Sequence, residues 1–339
     1  MARFALPSRT AIVWTAAAIL VTLGTATAAA GAADTAAPFT YVALGDSYSA
    51  GEGIPPFLGN ECHRSSRAYP TWARRPGAAK TLYATASGGG RPGILAGKNT
   101  YGSDRNVRSA GGVSWASWAC SGAKTTNVLP RSLGGVPQQR LGATLDRATQ
   151  LDSADLARAD LVTLTIGGND AGFIEVLLVC ALSNCNTRTF EQGRAAIIDA
   201  TRPQLERVYR AVARKAPRAR ILVLGYPGLF PATKTEQACA GLSRFRGEQT
   251  MLRRLGDRLN GTIAAAVGTV ARSGARIEYV PVSARFAGHE VCGRKGPWLN
   301  GFVTSNTGLG LAAASFHPNL EGQRDGYAGV VNAALARRR

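Results

Sequence analysis

Four short segments carry side chains suited to nucleophilic chemistry: ALGDSYSAGEG (43–53), ACSGA (119–123), IGGND (166–170) and SFHPN (315–319). In the first, Ser47 follows an apolar run and opens a turn rich in small residues. A serine hydroxyl is a weak nucleophile at neutral pH and needs a base within hydrogen-bond reach. Histidine suits that task because its pKa lies near the working pH. A serine in this position has a second reading, as a cap on the first turn of a helix. Taken alone, 43–53 supports both readings equally. The nucleophile elbow GxSxG is absent from this segment, so an α/β-hydrolase arrangement is not expected.

The other three segments decide the matter by their order. With GDS they resemble the four sequence blocks of the SGNH, or GDSL, hydrolase family, and the match spans most of the chain. The resemblance implies Ser47 as nucleophile and His317 as base, with the Ser47 and Gly122 amides and the Asn169 side chain as oxyanion donors. The chemistry fits each role. Attack on an ester carbonyl creates an oxyanion, which N–H groups aimed in advance stabilise. A glycine amide allows close approach of substrate, and a carboxamide offers two donors without charge. Asp170 is expected to cap a helix, and Asp46 to hold its turn.

The stretches CHRSSRAYPTWA (62–73) and FAGHEVCG (286–293) look more narrowly like the secreted actinobacterial esterases, lipases and phospholipases of that family. That subgroup joins six cysteines in sequence order, which implies Cys62–Cys120, Cys180–Cys185 and Cys239–Cys292. No CxxC pair is present, so no structural zinc site is expected, and the chemistry requires no metal or cofactor. Of the other two histidines, His63 is expected to be exposed in a loop, and His289 to be structural or to line the substrate site.

These residues need a scaffold. Apolar runs at 39–45, 160–168, 220–228 and 276–283, with a poorer one at 111–122, read as buried parallel strands. Leu252, Leu255, Leu259, Ile263, Val267 and Val270 mark one helical stripe within 242–270, and Leu205, Val208, Tyr209 and Val212 mark another. Strands alternating with helices imply a three-layer α/β/α fold, with a central parallel sheet in flavodoxin-like order and its site at the carboxyl ends of the strands. Residues 85–112 have no period and read as a long surface loop, with a lid as the alternative.

The N-terminus places Arg3 and Arg9 before an apolar stretch that runs into small residues. That is the order of a secretory signal peptide, so 1–33 is expected to be removed and 34–339 to form one secreted domain. The formal charge is +19, or +17 once Arg3 and Arg9 are subtracted. The basic residues are scattered, as GC-rich coding alone would leave them, so no nucleic-acid partner is expected. Attraction to anionic membrane or cell-wall surfaces is the functional alternative. The reading is therefore a secreted, monomeric carboxylic-ester hydrolase acting on acyl lipids. A polysaccharide acetyl esterase and a non-catalytic surface-binding protein are its rivals.

Many SGNH hydrolases place an aspartate three residues before the histidine, where this chain has Ala314. The imidazole still needs an acceptor on its far nitrogen, and the Ala314 carbonyl is the expected one. Glu321 and Asp325 follow His317 on the expected terminal helix and should point elsewhere. Alanine at either position is expected to leave kcat within about tenfold, whereas loss of a true triad acid costs about ten-thousandfold. Steady-state kinetics on a soluble ester checks this.

Overall fold

The structure is a computed structural model that describes residues 38–57, 62–88, 107–140, 143–144, 148–232, 246–303 and 313–337. The expected leader, residues 89–106 of the expected loop 85–112 and Cys239 lie outside the described residues.

Strand β1 (Phe39–Gly45) is apolar and β-branched or aromatic through most of its length, and from Tyr41 on it is buried. It leads into α1 (Ser47–Ala50), and a helix α2 (Leu82–Ala86) follows. Strands β2 (Val107–Ala110) and β3 (Val113–Ser117) form an antiparallel hairpin turned at Gly111 and Gly112. The expected loop 85–112 is thus corrected at both ends, by the last residues of α2 and by β2. The alternating exposure of β2 explains the lack of an apolar signal: it is an edge strand with one partner. Helix α3 (Thr125–Val128), the two-residue strands β4 (Gln139–Arg140) and β5 (Ala143–Thr144), and α4 (Gln150–Ser153) lead to β6 (Leu161–Thr165). Helices α5 (Phe173–Leu182), α6 (Arg188–Ala200) and α7 (Arg202–Lys215) precede β7 (Arg220–Leu224). Helix α8 (Arg246–Ala271), strand β8 (Ile277–Val280) and helix α9 (Ala328–Ala336) complete the chain.

The main sheet runs β2-β3-β1-β6-β7-β8, and every pairing except β2–β3 is parallel. Among the five parallel strands the chain starts second from one edge, which is the flavodoxin-like order. Strands β6 and β7 are buried on both faces, as their continuous Leu/Val runs require. Helices α6, α7 and α8 pack on one another, and β8 is contacted by α8 and also by α9. Helix α7 starts with Pro203 in its first turn and buries Leu205, Val208, Tyr209 and Val212, the stripe read from the sequence.

Two disulfides join Cys62 to Cys120 and Cys180 to Cys185. Cys292 is disulfide-bonded as well, while its expected partner Cys239 falls outside the described residues.

The turn from β1 into α1 depends on Gly45. Its φ is +121°, and a Cβ there would lie 2.3 Å from the Thr165 carbonyl oxygen. Gly45→Ala is therefore expected to destabilise the protein by about 3 kcal/mol. Gly261→Ala, in open space on α8, should instead stabilise it by roughly 0.5–1 kcal/mol. Urea unfolding of the two variants checks the contrast.

Candidate active site

The carboxyl ends of β1, β6 and β7 converge on one buried carboxylate. Asp46 caps α1, accepting from the Tyr48 amide at 3.1 Å and from the Thr165 hydroxyl at 2.6 Å. The Tyr226 hydroxyl donates to its other oxygen and accepts from the Gly168 amide at 3.0 Å. Burial raises the Asp46 pKa to about 6, and the hydrogen bonds from Thr165, Tyr226 and Tyr48 oppose the shift. Capping thus falls to Asp46. Ser47 sits in the first helical turn with its hydroxyl free for another partner.

That partner is His317. Its Nε2 lies 2.7 Å from Ser47 Oγ, across 270 positions of sequence. Its Nδ1 lies 3.1 Å from the Ser315 carbonyl oxygen, which corrects the expected acceptor, Ala314. The cause is local backbone. Phe316 adopts φ +61°, a conformation that costs a bulky residue about 1–3 kcal/mol, and this folds the Ser315 carbonyl back beneath the imidazole. The Ala314 carbonyl instead accepts from the His317 amide at 3.2 Å and from Asn300 Nδ2 at 3.1 Å. Phe316 is held by the Tyr48 hydroxyl on its carbonyl at 3.0 Å and by rings of Phe230 and Phe302 on its side chain.

A carbonyl can only accept, so the Ser315 contact fixes the tautomer. Nδ1 carries the proton, and Nε2 is left to accept from the Ser47 hydroxyl. Burial lowers the His317 pKa, opposed by the negative charge of Glu52 and by nearby carbonyls. Asp325 is paired on the surface with Arg324 at 2.6 Å, away from the imidazole.

Asn169 Nδ2 donates to the Ala123 carbonyl at 2.9 Å, which leaves its second N–H available. Asp170 binds the amide (3.0 Å) and hydroxyl (2.6 Å) of Thr125, so it caps α3 from across the site and joins 166–170 to 119–125. Gly122 has φ +82°. Among the described residues no hydrogen-bond acceptor is assigned to its amide or to that of Ser47.

The remaining histidines stand apart. His289 stacks on Trp298 at 3.8 Å and reaches the Gly296 carbonyl at 2.8 Å, a structural placement. His63 is half-buried rather than exposed. It bonds Glu52 at 2.7 Å and stacks on Phe57.

Ser47 and His317 open onto a pocket walled by Phe173, Ile174 and Leu177 of α5, Leu252 and Leu259 of α8, and Phe316. The sequence reading did not single out Tyr226, Thr165 or Glu52. Only Glu52 left a local trace, as the lone acid in the glycine turn after Ser47.

The model of the GDSL-like lipase/acylhydrolase family matches residues 43–324. Lipase 1 of Streptomyces coelicolor is 32% identical over 316 residues, covering 91% of this chain and 92% of that lipase. A lipase of Streptomyces rimosus is 32% identical over 329 residues, 94% of this chain and 97% of the relative. Among solved structures, an extracellular lipase from S. rimosus superposes with a TM-score of 0.60 at 29% identity, over 87% of this chain and 99% of its own. Phospholipase A1 from Streptomyces albidoflavus superposes with a TM-score of 0.58 at 28% identity, over 88% and 99%. A serine and a histidine in hydrogen-bond contact at the strand ends are what such enzymes require, and this chain belongs to the GDSL-like lipase/acylhydrolase family as a carboxylic-ester hydrolase.

Proposed function

We propose that the protein hydrolyses acyl-lipid esters through an acyl-enzyme on Ser47. The observation that carries this reading is the 2.7 Å contact between Ser47 Oγ and a buried His317 Nε2 of fixed tautomer, at the mouth of an apolar pocket. Ser47 Oγ attacks the ester carbonyl carbon as its proton passes to Nε2. The carbonyl oxygen takes up negative charge and is met by the Ser47 and Gly122 amides and by Asn169 Nδ2. Collapse of the adduct breaks the ester C–O bond, and the leaving alcohol takes the proton from Nε2. Water then repeats the sequence on the acyl-enzyme. The imidazolium formed in each half-reaction is oriented by main-chain carbonyls, those of Ser315 and Ala313, so the pair works as a dyad.

The pocket walls favour a hydrocarbon chain, since each buried aliphatic or aromatic side chain gains by covering apolar surface. This ranks long acyl groups above acetyl groups. We propose secretion and action at an anionic lipid surface, supported by the leader-like N-terminus, the charge of +17 that remains without Arg3 and Arg9, and the likeness to an extracellular lipase of S. rimosus.

A panel of p-nitrophenyl esters and phospholipid vesicles, assayed with wild-type protein and variants, tests substrate class and mechanism together. Ser47→Ala and His317→Ala should each lower kcat by several orders of magnitude, with the double variant little worse because the two act as a unit. Additive losses would break the pairing. Activity on anionic vesicles should fall with added salt more than activity on a soluble ester. An equal response would remove the surface role.

The acid limb of kcat/KM should lie below the usual histidine pKa of 6.5, because burial favours the neutral imidazole that acts as base. The same shift acts on stability. An unfolded chain protonates this histidine first, so stability falls as pH drops through 6.5 and levels off below the folded pKa. Titration of the His317 imidazole by NMR, set beside the rate profile, separates it from Asp46, which titrates near 6.

A further inference from the structure

Ser121, the residue before Gly122, is held at every polar atom it has. Its amide donates to the Cys62 carbonyl at 3.0 Å, beside the Cys62–Cys120 disulfide. Its hydroxyl donates to Glu52 Oε2 at 2.6 Å. Its carbonyl accepts from Gln138 Nε2, also at 2.6 Å. In a trans peptide the carbonyl and the following N–H point in opposite directions. Gripping the Ser121 carbonyl from one side therefore aims the Gly122 amide to the other.

Both gripping residues are placed at a cost. Gln138 is 7% exposed, and among the described residues its Oε1 has no partner, an unfavourable state for a buried acceptor. Glu52 is a carboxylate only 2% exposed. Its own amide donates to the Ser47 carbonyl at 3.0 Å, so one residue touches the nucleophile by its backbone and the Ser121–Gly122 segment by its side chain. His63 Nδ1 meets the same carboxylate at 2.7 Å, and His317 lies near enough to feel its charge. From the neighbouring backbone, Arg64 turns its guanidinium to the Ala119 and Trp118 carbonyls.

We propose that Glu52 and Gln138 are positioning residues for the hydrolysis: together they fix the Ser121–Gly122 peptide so that the Gly122 amide faces the oxyanion. This rests on the acyl-enzyme reading above.

The test uses Gln138→Leu and Glu52→Gln in the full chain, with a soluble p-nitrophenyl ester and active-site titration by a fluorophosphonate. Gln138→Leu should lower kcat about 10- to 100-fold with KM within about twofold, since a donor that acts on the transition state is misaimed. The acid limb of its profile should not move. Glu52→Gln should lower kcat by a similar factor, again with KM within about twofold, because it releases the Ser121 hydroxyl that helps to hold the same peptide. Full labelling stoichiometry shows that a variant is folded with its nucleophile intact. If Glu52→Gln fails to fold, Gln138→Leu decides the aiming role and Ser121→Ala, which cuts the same link from the other side, decides that of Glu52. Fully labelled variants with kcat within twofold of wild type, or losses confined to KM, would overturn the proposal. Wild-type protein that neither labels nor turns over ester would instead remove the acyl-enzyme reading.

Discussion

One buried carboxylate holds the reacting groups of this enzyme in register. Asp46 joins the end of β1 to Thr165 at the end of β6 and to Tyr226 just past β7, and through Tyr226 it reaches the Gly168 amide. An ionised carboxylate without solvent is costly unless donors surround it. Here three donors do so, and each comes from a segment that must be positioned: the first turn of α1, a strand end and a loop. The requirement to satisfy one charge therefore places Ser47 and the segment of Asn169 relative to each other. Gly45 completes the constraint, since only a residue without Cβ can pass Thr165 at that distance.

The histidine is placed by other means. A positive φ at Phe316 is an unfavourable backbone state, offset by burial of its ring between Phe230 and Phe302 and by the Tyr48 hydroxyl on its carbonyl. Beyond His317, Asn319 accepts from the Gly322 amide, and residues Gly322–Tyr327 form a π-helical turn. The wider turn carries Gln323 beneath the nucleophile, where it donates to the Tyr48 carbonyl and accepts from the Tyr69 amide. Insertions of this kind recur at functional sites because they redirect a side chain without ending the helix. The base is thus supported by strain and by the C-terminal helix, the nucleophile by charge satisfaction at the sheet.

In the proposed mechanism the apolar pocket serves both binding and base strength. The same removal of water that favours an acyl chain also disfavours a charged imidazole, and so keeps His317 neutral and able to accept a proton. Among the described residues no carboxylate is bonded to the imidazole, so in the proposed mechanism stabilisation of the transient imidazolium falls to the Ser315 and Ala313 carbonyls and to the more distant charge of Glu52.

The local sequence carried a large part of this. Strands β1, β3, β6, β7 and β8 and the buried stripe of α7 followed from apolar runs and helical spacing, since burial selects residue type position by position. The order and spacing of GDS, CSG, GGND and FHPN brought forward the residues that meet at the site, through their resemblance to a family. What the sequence left open depends on contacts between distant segments. Strand β2 is an edge strand with alternating exposure, so it left no apolar run to read. The Ser315 carbonyl, not Ala314, meets the imidazole because of one dihedral angle at Phe316, and that angle is set by rings from residues 14 and 86 positions away. Asp46, Glu52 and Gln138 are ordinary polar residues in the chain. They became determinants of geometry only when folding took them out of water and left each needing the partners that the tertiary structure supplies, because a buried polar group is stable only where donors and acceptors from elsewhere in the chain converge on it.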